Sequence, residues 1–315
     1  MIHYVLGRLL ALIPILFGVS LLVFLMMALI PGDPAQAILG PYATEENLAK
    51  LRGDLALDRS LPEQYVAWLG NLMHGDFGTS YSLNRPVLDE ILERLGPTLL
   101  LAGSAFVLCT FLGLAAGVAC AVWQNGWPDR FIGLLVLLGI STPSFWLALL
   151  FVALFSISLG WFPPSGMFSV IDGGGPGDLL AHIALPTLTL ALVAAGVIAR
   201  LMRTNMLEVL RQDYIRTARA KGMRERRVIG RHALRNAIVG MIPVLGIQAG
   251  FVLGGAVYVE TVFQWPGIGR MLVMAIQTRD LLLVQGAVLI LAAGYVLLNL
   301  LTDVVQHVLD PRLNA

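Results

Sequence analysis

The stretch LLALIPILFGVSLLVFLMMALI, residues 9–30, runs for 22 residues without one charged side chain. At 1.5 Å per residue a helix of that length covers about 33 Å, enough to cross the hydrocarbon core of a bilayer. Arg8 before it and Ala35, Gln36 and Ala37 after it imitate a secretory leader. The apolar core of a leader is only about 7–15 residues long, so the segment reads as a retained span. Working outward, further apolar runs follow at 97–123, 131–159, 183–199, 237–259 and 281–302. The whole chain has the same character: 57% of its residues are apolar and 13% charged, against roughly 25% charged in an average soluble domain. A soluble fold is excluded, and the expected class is an all-α integral membrane protein with six transmembrane helices.

Charge sets the expected orientation. Eleven of the 21 Lys and Arg lie between Arg200 and Arg235, and short loops rich in Lys and Arg stay on the cytoplasmic side. The loop 200–236 is therefore assigned to the cytoplasm. Parity then puts 31–96, 160–182 and 260–280 outside and both termini, 1–8 and 303–315, inside a plasma membrane. In 31–96 five basic residues face ten acidic ones. Within it, Ser60 and Glu63 have capping-box spacing before Leu61, Tyr65, Trp68, Leu69 and Leu72, which predicts an amphipathic helix ending near Gly75. A second short helix is expected from Pro86 to Leu95. The run Gly173 to Gly177 reads as a turn.

None of the six runs carries Asp, Glu, Lys or Arg, and proton relays, ion-coupled carriers and voltage sensors need ionisable groups within the membrane. There is no Walker A loop around Lys50 or Lys221, and the five histidines have no metal-ligand spacing. We expect no catalytic residue, no metal and no cofactor on this chain, and substrate-binding residues cannot be named from sequence. Cys109 and Cys120 would lie about 16 Å apart on one helix, too far for a disulfide. Ser141, Thr142, Pro143 and Ser144 interrupt the third run, where proline removes a helical hydrogen bond, so a kink is predicted. Gly113 and Gly117, and Gly246, Gly250 and Gly254, recur every four residues, a spacing that lets helices approach closely.

In the basic loop, Leu207, Leu210, Tyr214 and Ala218 fall at helical offsets on one face, with Gly222 where a helix would stop. A short helix of this kind can dock in a groove of a partner protein or lie on anionic lipid.

The residues Asp213 to Gly222, DYIRTARAKG, followed by HALRNA at 232–237, resemble the EAA loop of binding-protein-dependent ABC permeases, in particular the peptide, glutathione and nickel family. Aligned on Gly222, the glutamate and first alanine of the general pattern are Arg216 and Thr217, and its closing proline is Arg235, departures that match the peptide-type variant. PGDP at 31–34, GDFGTS at 75–80, STPSFW at 141–146, VFQWPGIGR at 262–270 and LDPR at 309–312 are similar to family segments in the same order. The resemblance therefore covers essentially the whole chain. It implies a type I importer permease in which this loop is a coupling helix seated in an ATPase subunit. The docking face would be Tyr214, Ala218 and Gly222, with Asp213, Arg216, Thr217 and Lys221 around it. It further implies a second homologous permease, usually in a heterodimer, two ATP-binding subunits that hold ATP and Mg, and an extracytoplasmic substrate-binding protein touching 31–96 and 260–280. Membrane lipid is the remaining partner, and no nucleic acid is expected. The cargo is expected to be a di- or oligopeptide, with glutathione or a nickel complex as alternatives; the short outer loop before His182 leans toward the latter two. Trp265 is expected either at an outer gate or as an interface anchor. The rival classes are an ion-coupled carrier and a membrane-embedded enzyme or receptor.

Overall fold

A computed structural model describes residues 2–29, 34–39, 43–54, 57–169 and 174–309. Of the quoted segments, PGDP before Pro34, LDPR after Leu309, and Gly173 lie outside the described residues. In chain order the helices are α1 (Ile2–Ala28), α2 (Pro34–Leu39), α3 (Glu45–Asp54), α4 (Leu61–Met73), α5 (Val87–Val122), α6 (Trp127–Ser141), α7 (Ser144–Phe151), α8 (Pro176–Leu210), α9 (Asp213–Ala220), α10 (Glu225–Arg227), α11 (Leu234–Val239), α12 (Ile242–Val262), α13 (Ile268–Gln277) and α14 (Leu281–Leu309). Two π-helical stretches, Val152–Ser158 and Val228–Ala233, continue α7 and join α10 to α11. Among the described residues, five helices are long and apolar enough to cross a membrane: Leu10–Ala28 of α1, all of α5, α8 and α12, and Leu281–Val308 of α14. A sixth crossing is available if Trp127–Ser141 and Ser144–Ser158 count as one broken span, bent by 107°.

That bend is far sharper than the kink expected at Pro143. The Thr142 hydroxyl donates to Leu138 O at 2.7 Å, and Pro143, extended at ψ 136°, starts a new helix instead of deflecting the old one. A proline has no N–H to continue the first helix but suits the first turn of the next.

The described residues form two compact units. The first comprises Met1–Pro97 and Pro266–Val296. In it α4 packs on α1 through an aromatic cluster: the Tyr65 ring lies 5.3 Å from Phe24 and 6.1 Å from Phe17, and the Tyr65 hydroxyl is 2.8 Å from Ser20 Oγ. The Ser60 N–H donates to the Glu63 carboxylate at 3.1 Å, and hydrogen bonding by Ser60 holds the Glu63 carboxyl below its ordinary range. The helix expected over Pro86–Leu95 is not a separate piece. It is the opening of α5, which runs unbroken through Pro97 because the residues before that proline sit on an established apolar face, Val87 and Ile91 being fully buried against Leu283, Val284 and Ala287.

GDFGTS has a structural explanation in the same unit. Gly75 and Gly78 take left-handed φ of 81° and 78°, and the Asp76 side chain accepts the Gly78 N–H at 2.8 Å. The chain then forms a two-residue antiparallel ladder, Thr79 opposite Pro86 and Ser80 opposite Arg85. Ser80 Oγ (2.6 Å), Ser82 Oγ (2.7 Å) and Ser82 N (3.0 Å) all donate to the buried Asp280 carboxylate, which also accepts the Leu283 N–H at the start of α14. Replacing Asp280 by alanine strands those buried donors, at a cost of roughly 3 kcal/mol. The expected outcome is a melting temperature lowered by several degrees in detergent, while Asp76→Ala, on an exposed turn, costs much less.

The second unit comprises Thr98–Trp265 and Leu297–Ala315. Its centre is α8, on which α6, α7 and α12 all pack. The α8 helix is twice as long as the run expected at 183–199, extending to Pro176 at one end and to Leu210 at the other. Small residues make this possible. A Cβ on Gly113 would lie 2.6 Å from Ile198 Cβ, and one on Gly117 would lie 2.6 Å from Ala199 O, so α5 and α8 touch through their backbones. Gly246 packs likewise on Thr302, whereas a Cβ on Gly254 would meet nothing within 4 Å, so the repeat on α12 is not one continuous packing stripe. Cys109 and Cys120 are free, buried thiols.

Candidate functional site: the basic loop and its supports

The α8 helix stops two residues before the segment that resembles a coupling helix. Gln212 is extended (ψ 149°), which turns the chain before α9 starts at Asp213. Leu207 and Leu210 therefore belong to α8 and Tyr214 and Ala218 to α9, and the single face expected for the four is divided between two helices. Of the three residues expected to form the docking face, Tyr214 and Gly222 are exposed and Ala218 is not. Ile215 is fully buried and Ala218 is 8% exposed, both in one core cluster with Met206, Val228 and Ala233, so Ala218 faces its own chain. The outward stripe is Asp213, Arg216, Thr217 and Ala220, at offsets of three, four and seven, all exposed. Asp213 and Arg216 are 95% and 73% exposed and lie 3.4 Å apart. Lys221 is also exposed.

The end of α9 is built by Gly222. At φ 75° its N–H donates to Arg219 O (2.9 Å), and the Met223 N–H donates back to Ala218 O (3.3 Å), the paired bonds of a Schellman stop. Arg219 forks onto Glu225 at 2.6 and 3.2 Å, joining α9 to α10 and holding the Glu225 carboxyl below its ordinary range. Tyr214, half-exposed, accepts a hydrogen bond from Asn236 Nδ2 at 2.8 Å, and Asn236 also reaches His232 O. DYIRTARAKG and HALRNA, separated in sequence, thus meet through this side-chain pair and through Ile215, Ala218 and Ala233 in the core.

Sequence reasoning missed the support for this assembly. Arg203, two turns before the end of α8, forks onto Asp129 of α6 with both bonds at 2.8 Å, and Asp129 also accepts the Asn125 N–H. The partners are 74 residues apart, so no local pattern could have paired them. Beside them an open groove of about 510 Å³ is lined by Arg203, Leu207, Glu208, Arg211 and Asp213. Breaking the fork costs on the order of 2 kcal/mol. We expect Arg203→Asp to lower the melting temperature, and Arg203→Asp combined with Asp129→Arg to recover most of the loss. A double variant no better than the single one would show that the pair is not a bond that matters.

Two further expectations are corrected in the second unit. Trp265 is fully buried beside Phe263 in the core, so it is not a lipid-interface anchor. The fifth span also carries an acid: Glu260 lies in the last turn of α12, fully buried, and accepts the Thr98 hydroxyl at 2.7 Å. The left-handed Gln264 (φ 51°) then lets Trp265 N–H return to Glu260 O at 2.9 Å. The exposed tryptophans are Trp123, Trp127, Trp146 and Trp161.

Residues 110–315 match the family described as "Binding-protein-dependent transport system inner membrane component", and residues 1–102 match the N-terminal component of the same systems. The glutathione transport system permease protein GsiC of Escherichia coli (strain K12) is 43% identical over 313 residues, covering 99% of each chain. GsiC of Salmonella paratyphi A is likewise 43% identical over 99% of each chain. Among solved structures, the inward-facing MetNI methionine ABC transporter superposes with a TM-score of 0.56 at 18% identity, over 71% of this chain and 97% of that one, which supports the fold. With two family models spanning nearly its whole length and relatives matching end to end, this chain belongs to the ABC importer permeases of the peptide, glutathione and nickel family.

Proposed function

We propose that this chain is one of two related permeases forming the membrane pathway of an ATP-driven importer, and that its cargo is a short peptide of the glutathione type. The observation that carries the cargo assignment is the end-to-end match to the glutathione permease GsiC, 43% identical over 99% of both chains. The match favours the glutathione alternative over the di- or oligopeptide expected first.

In this reading Arg200 to Arg235 faces the cytoplasm, since eleven positive charges there resist translocation. The α9 stripe of Asp213, Arg216, Thr217 and Ala220, flanked by Lys221, seats in an ATPase subunit. Ile215 and Ala218 hold α9 to its own chain, and the Gly222 stop sets its length. ATP and Mg are bound by the two ATPase subunits, and closure of those subunits pushes α9. The push reaches α8 through the short Arg211–Gln212 turn and α6 through Arg203 and Asp129. Helices and bidentate bonds suit such rigid-body transmission, which needs no charge moving within the membrane. A binding protein delivers cargo at the opposite face.

The test is uptake by proteoliposomes holding this chain with a second permease, two ATPase subunits and a binding protein of the same system. Labelled glutathione, a dipeptide and a nickel complex are offered in parallel. ATP-dependent glutathione uptake that needs every subunit is the expected result. Accumulation of solute by the chain alone under an ion gradient would overturn the importer mechanism, and uptake of only the dipeptide or nickel would overturn the cargo.

A further inference from the structure

The first unit holds a cavity of about 430 Å³ that takes no part in the coupling described above. Its wall includes Arg94 from α5 and Arg270 from α13, with Ser82 and Thr278 as hydroxyl groups and Met271 and Met274 as apolar wall. We infer that this cavity is a carboxylate-recognition site for the peptide cargo, with Arg94 and Arg270 as the recognising groups; the inference rests on the proposed cargo and orientation.

Three features point to such a ligand. The volume lies within the roughly 300–1,000 Å³ range of small-molecule sites, well above what one docked side chain needs. Two arginines from elements far apart in sequence line the same space, and guanidinium is the side chain whose planar fork matches a carboxylate in two parallel bonds. Arg94 is also held in position. It pairs with Glu90, itself only 2% exposed, and Glu90 also takes Arg85 at 2.6 Å, while Arg85 binds Glu93 at 2.7 Å. A buried carboxylate fixing a guanidinium lowers the entropy lost when a ligand binds.

The remaining lining suits the rest of a short peptide. The Ser82 and Thr278 hydroxyls already donate to Asp280 and to Met274 O, so toward a ligand they accept from amide N–H groups, and methionine gives a soft, adaptable wall for a small or sulfur-bearing side chain. A glutathione-type tripeptide, which carries one ammonium, offers two free carboxylates, two amides and a thiol to that lining. Arg270 and Thr278 belong to 260–280 and Ser82 and Arg94 to 31–96, the two segments placed on the delivery side, so the cavity would receive cargo at the entrance to the pathway.

The test is direct binding to the assembled transporter in nanodiscs, with the binding protein omitted. Reduced glutathione and its glycinamide analogue, which lacks one carboxylate, are titrated by calorimetry. Glutathione is expected to bind at least tenfold more tightly than the analogue. Arg270→Gln should weaken glutathione at least tenfold and erase the difference between the two, while Arg270→Lys, which keeps the charge but not the fork, falls between. Melting temperatures of both variants show whether each is folded, and Thr278→Val, expected to weaken both ligands equally, probes the cavity without touching a charge. No glutathione binding, or binding that ignores both substitutions at Arg270, overturns the inference. Uptake by the complete system is read separately. Import of glutathione with no effect of Arg270 sinks the cavity alone, and binding without import sinks the cargo assignment alone.

Discussion

Leucine in place of Gly117 is expected to prevent this chain from folding into a stable, monodisperse species. A single Cβ at that position would stand 2.6 Å from Ala199 O, 2.6 Å from Met202 Cβ and 3.0 Å from Arg203 N. Two of those three neighbours are backbone atoms of α8, which cannot rotate away as a side chain does. Even alanine must push α5 and α8 apart, and overpacking of this kind costs about 1–3 kcal/mol. Leucine adds three more carbons at the same place. The damage would spread, because α8 also carries α6, α7 and α12 and leads into α9. Gly103 on the same α5 helix is the control, since a Cβ there meets nothing within 4 Å. Gly103→Leu should melt within a few degrees of wild type, while Gly117→Leu should aggregate on size-exclusion chromatography. Equal melting of the two variants would contradict the close approach of α5 and α8.

The second large effect is on coupling rather than folding. Arg216→Glu is expected to reduce binding-protein-stimulated ATPase activity by more than tenfold while leaving the melting temperature unchanged. Arg216 is 73% exposed on the outward stripe, so reversing its charge disturbs what docks there and little else. Ile215→Asp, one residue away, should do the opposite. Ile215 is fully buried among Met206, Ala218, Val228 and Ala233, and an unpaired carboxylate there costs several kcal/mol. That variant should lose α9 as an ordered element and melt early. Normal stimulation of the ATPases by Arg216→Glu would remove the outward stripe from the coupling interface.

The contrast between Arg216 and Ile215 shows where reading the loop from sequence goes astray. Residues 207 to 218 look like one amphipathic helix because Leu207, Leu210, Tyr214 and Ala218 keep a helical period. The extended backbone at Gln212 resets the phase, and nothing in the residue types around Arg211 and Gln212 announces it. The Gly222 stop, by comparison, is legible in advance, because glycine alone takes φ 75° without steric cost. Pro143 is legible as a break but not as a 107° bend, since the angle depends on how α6 and α7 each pack against α8. Nothing beside Glu260 in the sequence announces its burial, and the Thr98 hydroxyl that it accepts comes from 162 residues away.

The membrane character of this protein, its helical class and its family can be read from the linear chain alone. Each rests on information within one segment: the length of an uncharged run, the clustering of arginines, a glycine at a helix stop, short strings in a fixed order. Folding in three dimensions decides everything that depends on partners distant along the chain. The Arg203 fork onto Asp129, the serine cradle around Asp280, the burial of Ala218 and Trp265, and the meeting of Arg94 with Arg270 in one cavity are of this kind. A membrane helix is specified by its own residues because lipid accepts any sufficiently long apolar helix with internally satisfied backbone. Which face of it turns to protein, and which polar group finds which partner, depends on packing against helices the local sequence does not encode.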